Sequence, residues 1–368
     1  MSSAKTSLHD VLEMAVNAGA SDLHIKENCA VTVRINGSMA VSDFVATTEI
    51  VDKFIKQITS SQKQLDLLEN TGDLDLSHRE EGVGRFRVNI HRQRTTLAMT
   101  LRYVKNEIRK FAELGLPPVL EKIAGEYRGI VILTGTTGSG KSTTLAAMLQ
   151  HINESRENHV ITIEDPIEYE FSDAKSFFEQ REVGIDTESF ESALVHAMRQ
   201  DPDVIMVGEM RDRVSFEAAL KAADTGHLVF TTLHASNASQ TINRILDFFE
   251  KSEQDPIRES LANNLCAVIS QRLCPRSDGK GRVPACEVMI NTPMVYKLLS
   301  DNRLERLSSA ISAGRGDGMM TFNQCLYDLV EAGTITEELA LQFSDNPEQL
   351  KMNFEGIFLN AGDNQIIG

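Results

Sequence analysis

One octet in this chain, Gly135-Thr136-Thr137-Gly138-Ser139-Gly140-Lys141-Ser142, matches G-x-x-x-x-G-K-[ST] in full. Glycines at these positions let successive backbone N–H groups turn toward phosphate oxygens, and the N-terminus of a following helix adds the positive end of its dipole. In such a loop Lys141 reaches the β- and γ-phosphates and the Ser142 hydroxyl ligates Mg²⁺. Two apolar runs end in acids: Ile161-Thr162-Ile163-Glu164-Asp165-Pro166 and Asp203-Val204-Ile205-Met206-Val207-Gly208-Glu209. A carboxylate at the end of a central strand lies near the phosphate site of a doubly wound sheet. Glu209 thus has the character of a Walker-B-like acid that polarises water or holds the Mg²⁺ shell, while Asp165-Pro166 also reads as a plain turn.

A third run, Thr225-Gly226-His227-Leu228-Val229-Phe230-Thr231-Thr232-Leu233-His234, carries a histidine at each end. Either is a candidate γ-phosphate sensor, though a strand-end histidine is more often only structural. Earlier, Gly84-Arg85-Phe86-Arg87-Val88-Asn89-Ile90-His91-Arg92-Gln93-Arg94, with Arg102 beyond it, concentrates guanidiniums in an acidic chain. On a regular strand Arg85 and Arg87 share one face and Arg92 and Arg94 the other. A nearby anion, a solvated face and intersubunit salt bridges all fit that pattern.

These residues need elements to position them. Before about residue 105 the spacing predicts an amphipathic helix near Leu8–Val16, strands at Asp22–Ile25 and Val31–Ile35 with an Asn36-Gly37 hairpin turn, and a helix over Ile50–Leu68. Further strands follow at Asp73–Leu76, Gly84–His91 and Leu97–Val104, which makes a small α+β domain. Gly115-Leu116-Pro117-Pro118 punctuates the chain as a candidate hinge. We therefore divide it into residues 1–112, a linker at 113–120 and a second domain at 121–368. In the second, Glu126–Leu133, Val160–Ile163, Val204–Val207 and Leu228–Thr232 are short buried strands among helices, the signature of a parallel α/β sheet. Residues 257–272, 293–311 and 320–342 carry helical spacing, and the last ten residues of the tail read as mobile.

The 368 residues carry 37 Lys+Arg against 53 Asp+Glu, a net charge of −16 that argues against a nucleic-acid partner. No stretch approaches a membrane span, and the first residues lack a signal-type region, so the expected location is cytoplasmic. Five cysteines, at 29, 266, 274, 286 and 325, have no C-x-x-C spacing and read as structural thiols rather than disulfide or zinc partners.

In sum the chain resembles the secretion-superfamily hexameric ATPases and, within them, the type IV pilus retraction motors of the PilT/PilU family. The resemblance runs from GASDLHI and RFRVN through TGTTGSGKSTT, ITIEDPIEY, DPDVIMVGEMRD and TGHLVFTTLHAS to GMMTFNQCLYDLVEAG. It implies a PAS-like N-terminal domain followed by a RecA-like P-loop ATPase domain with a helical C-terminal part, six copies to a ring. Nucleotide would lie between the domains and contact the neighbouring subunit. By resemblance Gly135 to Thr143 bind ATP, with Mg²⁺ on Ser142. Glu209 is the hydrolytic carboxylate, Glu164 the Asp-box acid, His227 and His234 the His-box pair, and Arg87 and Arg102 the arginines that reach the nucleotide. The implied partners are a PilT-type retraction motor and a platform protein at the cytoplasmic face of the inner membrane. Assembly-type relatives carry an extra N-terminal domain and a four-cysteine insert that are absent here. Thr136, where many relatives have Pro, the segment Val295–Arg303 and the acidic tail favour the accessory, PilU-type branch. The rival reading is an ATP-binding docking ring that regulates a partner motor, with hydrolysis incidental; a DNA translocase is disfavoured by charge.

Overall fold

The computed structural model describes residues 7–357 except 36, 60 and 105–106. Asn36 of the expected hairpin turn and the last ten residues lie outside the described residues. The chain forms two compact units, residues 1–107 with 168–170, and residues 108–167 with 171–368.

In the first unit, strands β1 (Ala20–Lys26), β2 (Cys29–Ile35), β3 (Ser38–Ala46), β4 (Asp73–Glu80), β5 (Gly84–Gln93) and β6 (Thr96–Val104) form a sheet in the order β3-β2-β1-β6-β5-β4. All neighbours are antiparallel. Alternation gives the sheet one apolar face, with Leu23, Ile25, Phe86, Val88, Ile90 and Leu101 buried in one core with Leu8, Val11 and Leu12 of helix Leu8–Asn17 and Val51, Phe54 and Ile55 of helix Thr48–Ile58. The helix expected over Ile50–Leu68 is two helices, because Ser61 caps a new one at Gln62–Thr71.

In the second unit, β7 (Gly129–Thr134), β8 (His159–Glu164), β9 (Phe177–Glu182), β10 (Val204–Val207), β11 (Leu228–Leu233), β12 (Leu265–Pro275) and β13 (Arg282–Ile290) are ordered β13-β12-β7-β11-β10-β8-β9. Every pair is parallel except β12–β13. Alternate residues feed two cores. Ile130, Ile132, Ile161, Ile205 and Val229 belong to one, shared with helices Phe190–Ala197, Arg213–Asp224 and Ala238–Leu246. Val131, Leu133, Val160, Met206 and Phe230 belong to the other, shared with helices Val119–Ala124 and Lys141–Ser155. A sheet covered on both faces needs continuous apolar strands, which is how these runs read.

Residues 265–272 are strand, not helix: the helix Gln254–Asn264 stops and β12 docks beside β7. The expected linker at 113–120 lies inside the second unit, where Leu116 is buried with Phe111 and Leu120. All five cysteines are free, with Cys274, Cys286 and Cys325 buried. Burial pushes the Cys274 thiol up to about 12 and the Cys325 thiol up to about 11, which suits packing rather than nucleophilic chemistry. No helix among the described residues is long and apolar enough to cross a membrane.

Candidate active site

Strand β7 runs fully buried into Gly135, and the helix Lys141–Ser155 begins at the far side of the loop. The loop is held in an open turn by three glycines at positive φ: Gly135 (148°), Gly138 (79°) and Gly140 (90°). Two of them also meet backbone or side chain at close quarters. A Cβ on Gly135 would sit 2.5 Å from the Gln271 carbonyl oxygen, and one on Gly140 2.7 Å from Gln271 Nε2. The Ser139 N–H closes the turn onto the Thr136 carbonyl at 3.2 Å. Lys141 is buried, its Nζ donating to the carbonyls of Gly135 (2.8 Å) and Thr136 (3.1 Å), so the ammonium lies across the loop. Ser142 and Thr143 are half-buried, Thr136 and Thr137 exposed. Ser139 Oγ is buried without a hydrogen-bond partner. An ammonium across a glycine-rich turn at the start of a helix, with a hydroxyl still unsatisfied, fits a bound polyphosphate and its Mg²⁺.

The acids converge on the same edge. Register pairs Leu233 with Thr134 and Val207 with both Ile163 and Thr231, so Gly135, His234, Glu209 and Glu164 all follow the carboxyl ends of adjacent parallel strands. Glu164 is buried and accepts from Thr162 Oγ1 (2.7 Å) and Gln180 Nε2 (3.2 Å). Glu209 is gripped from two sides, by Arg211 Nη2 at 2.8 Å and by His234 Nε2 at 3.3 Å. Its carboxylate, with Asp165 nearby, holds the Arg211 guanidinium above its ordinary value. The strand under this edge is braced by Thr232 Oγ1, which donates to the Gly208 carbonyl at 2.7 Å.

His227 does not join this cluster. It precedes β11 while His234 follows it, and six residues of strand separate them by roughly 20 Å. The His227 ring instead contacts the Ala222 carbonyl (2.8 Å) and Thr225 Oγ1 (3.1 Å), which makes it a local cap at the opposite end of the sheet. Of the two candidate γ-phosphate sensors, only His234 lies at the phosphate-loop edge within one chain.

In the first unit Arg87 and Arg102 stand directly opposite each other on β5 and β6, and Arg102 faces Asp22 on β1. Arg102 Nε donates to Asp22 Oδ1 at 2.7 Å. Against the burial that opposes it, this bond and one from Ser21 hold the Asp22 carboxyl below its usual range. Arg87 is 3.5 Å from Glu168, and Glu170 lies within 3.7 Å of both Arg79 and Arg85. Arg94 is not on the strand: it sits at φ 48° in the turn between β5 and β6.

One contributor was not foreseen. Gln271 on β12, itself buried, touches the phosphate loop at Ser139 and the helix that follows it at Thr144. No motif marks it, and the helical spacing of 265–272 conceals the strand that carries it.

Comparison with known proteins agrees with this geometry. The family model described as type II/IV secretion system protein matches residues 2–333. The type IV pilus ATPase PilU of Pseudomonas aeruginosa is 39% identical over 343 residues, 93% of this chain and 90% of that one. The pilus retraction ATPase PilT of the same organism is also 39% identical, over 92% of this chain and 98% of its own. Among solved structures, that of the pilus retraction motor PilT with bound ADP matches with a TM-score of 0.87 and 41% identity, covering 94% of this chain and 99% of that one.

Proposed function

The chain belongs to the type II/IV secretion system protein family, and from that premise we propose that it is a hexameric Mg-ATP-hydrolysing motor that powers or assists type IV pilus retraction. That it is an ATPase of the pilus-motor kind follows from its relatives PilU and PilT and from the PilT structure holding ADP. The observation that carries the site reading is the common edge: the phosphate loop, Glu164, Glu209 and His234 on neighbouring strand ends.

Gly135 to Thr143 would hold the ATP phosphates, with Lys141 across the loop and Ser142 facing the metal. Ser142 would hold a Mg²⁺ ion, which when bound would supply charge neutralisation to the phosphates. Glu209 orients the attacking water and accepts its proton; His234 and Arg211 hold the carboxylate in place until it does so. Glu164, already accepting two hydrogen bonds, supports the second acid position. Arg87 and Arg102 are the cations we assign to a neighbouring subunit's nucleotide, in the manner of arginine fingers.

We read the first unit as PAS-like, the second as RecA-like, and the location as the cytoplasmic face of the inner membrane, beside a platform protein and a PilT-type motor. Equal identity to PilU and PilT leaves the accessory, PilU-type role supported by Thr136 and the Val295–Arg303 segment.

The test is steady-state ATPase activity of the parent, Lys141→Ala, Glu209→Ala, Arg102→Ala and an equal mixture of the last two. Each variant should lose most activity, and the mixture should regain part of it, since one subunit lends its arginine to a neighbour's intact acid. No recovery removes the intersubunit role of Arg102. A parent no faster than Lys141→Ala, yet still binding nucleotide, would make the protein a docking ring.

A further inference from the structure

Gln271 sits on β12 one residue past Ser270, which pairs in register with Thr134 at the end of the phosphate-loop strand. Its side chain is buried and bonded at both ends. Nε2 donates to the Ser139 carbonyl at 2.8 Å, and Oε1 accepts from Thr144 Oγ1 at 2.7 Å. One amide thus ties the loop's last turn to the first turn of the helix Lys141–Ser155. A Cβ at 140 would also meet Nε2, 2.7 Å away, beyond the positive φ that already calls for glycine there.

The peptide group explains why this matters. It is planar and trans, so the C=O of Ser139 and the N–H of Gly140 point in opposite directions. Drawing the carbonyl toward Gln271 turns the Gly140 N–H away from β12, into the turn where an anion would lie. Without the donor, this glycine-flanked peptide is free to rotate and present an oxygen to the phosphates instead of a hydrogen. We propose that Gln271 is a positioning residue that fixes the Ser139–Gly140 peptide with its N–H toward the bound phosphates. The proposal rests on the phosphate-loop reading above and adds a residue that no motif in that reading contains.

Gln271→Glu isolates the donor. The carboxylate still accepts from Thr144 but repels the Ser139 carbonyl; once protonated, its O–H can donate again. We expect ADP affinity, measured by calorimetry on the full-length chain, to fall by about tenfold or more at pH 8 in this variant. It should recover toward the parent value as pH drops to 5.5, with the parent changing far less over the same range. A variant that binds ADP as tightly as the parent at pH 8, or that is weakened equally at both pH values, overturns the proposal. Should the Glu variant fail to fold, Gln271→Met carries the test: folded, it must bind ADP more weakly than the parent at every pH, and parent-like binding overturns the idea. Lys141→Ala runs alongside. If the parent binds ADP no better than that variant, the site reading itself fails, whereas a tight-binding parent with unaffected Gln271 variants sinks only the peptide-orienting role.

Discussion

Glu287 ties the stability of the second unit to pH. It lies on β13, almost wholly buried, and its Oε1 accepts from the Ala238 N–H at the start of helix Ala238–Leu246 at 2.8 Å. Burial, with Asp345 adding to it, pushes the carboxyl up to about 7, against the opposing pull of Ala238 and Arg272. An unfolded Glu titrates near the ordinary value, so between the two the native state holds the extra proton and stability falls as pH rises. The loss is on the order of 3 kcal/mol once pH passes the folded value. Glu287→Gln keeps an acceptor for Ala238 and removes the titration. Its melting temperature should match the parent near pH 5 and exceed it at pH 8; parallel curves would mean that Glu287 is ionised in the fold. The candidate-site residues divide at this scale as well. The placement of Lys141, Glu164, Glu209 and His234 at one sheet edge is legible because each has a fixed offset from an apolar strand. That of Gln271 is not, because a glutamine beside an arginine in an apolar run has no motif and gains its contacts only when β12 docks.

At the scale of elements, strands with clean alternation or β-branched runs are legible within a few residues of their ends, whereas β3, β12 and β13 are not. Leu265-Cys266-Ala267-Val268-Ile269-Ser270 is apolar without alternation because its two neighbours and both faces bury it, and such a run also satisfies helical spacing. Strand β9 was missed for the opposite reason: Phe177-Phe178-Glu179-Gln180-Arg181-Glu182 is a polar edge strand held by pairing with β8. Helix starts were better marked. Thr321 and Gln324 form a reciprocal capping box at helix Phe322–Glu331, each side chain accepting from the other's N–H. That helix buries Phe322, Cys325 and Leu326 in a small core with Val283 and Ala285 of β13. Thr321→Ala should therefore cost about 1 kcal/mol, seen as a lower urea midpoint at unchanged slope. An unchanged midpoint would show that packing alone holds the helix end.

Across the whole molecule the two units differ in how they are assembled from the chain. The first is built almost entirely from residues 7–104, with strands mostly paired to near neighbours in sequence. Segment 168–170 adds ion pairs from Glu168 and Glu170 to Arg79, Arg85 and Arg87, at 3.5 to 3.7 Å. A fragment of residues 1–107 should accordingly fold alone, giving a cooperative melt and dispersed amide spectra; a molten, non-cooperative fragment would contradict this. The second unit has no such economy. Strand β7, which carries the phosphate loop, is flanked by β11 from residue 228 and β12 from residue 265. On the ribosome the loop therefore emerges long before the strands that shape it. A nascent chain interrupted between residues 142 and 265 holds the full nucleotide signature in its text and lacks the strand whose glutamine ties the loop down. Its apolar strands would also be uncovered, which makes this stretch of synthesis the interval in which the chain most needs protection from aggregation.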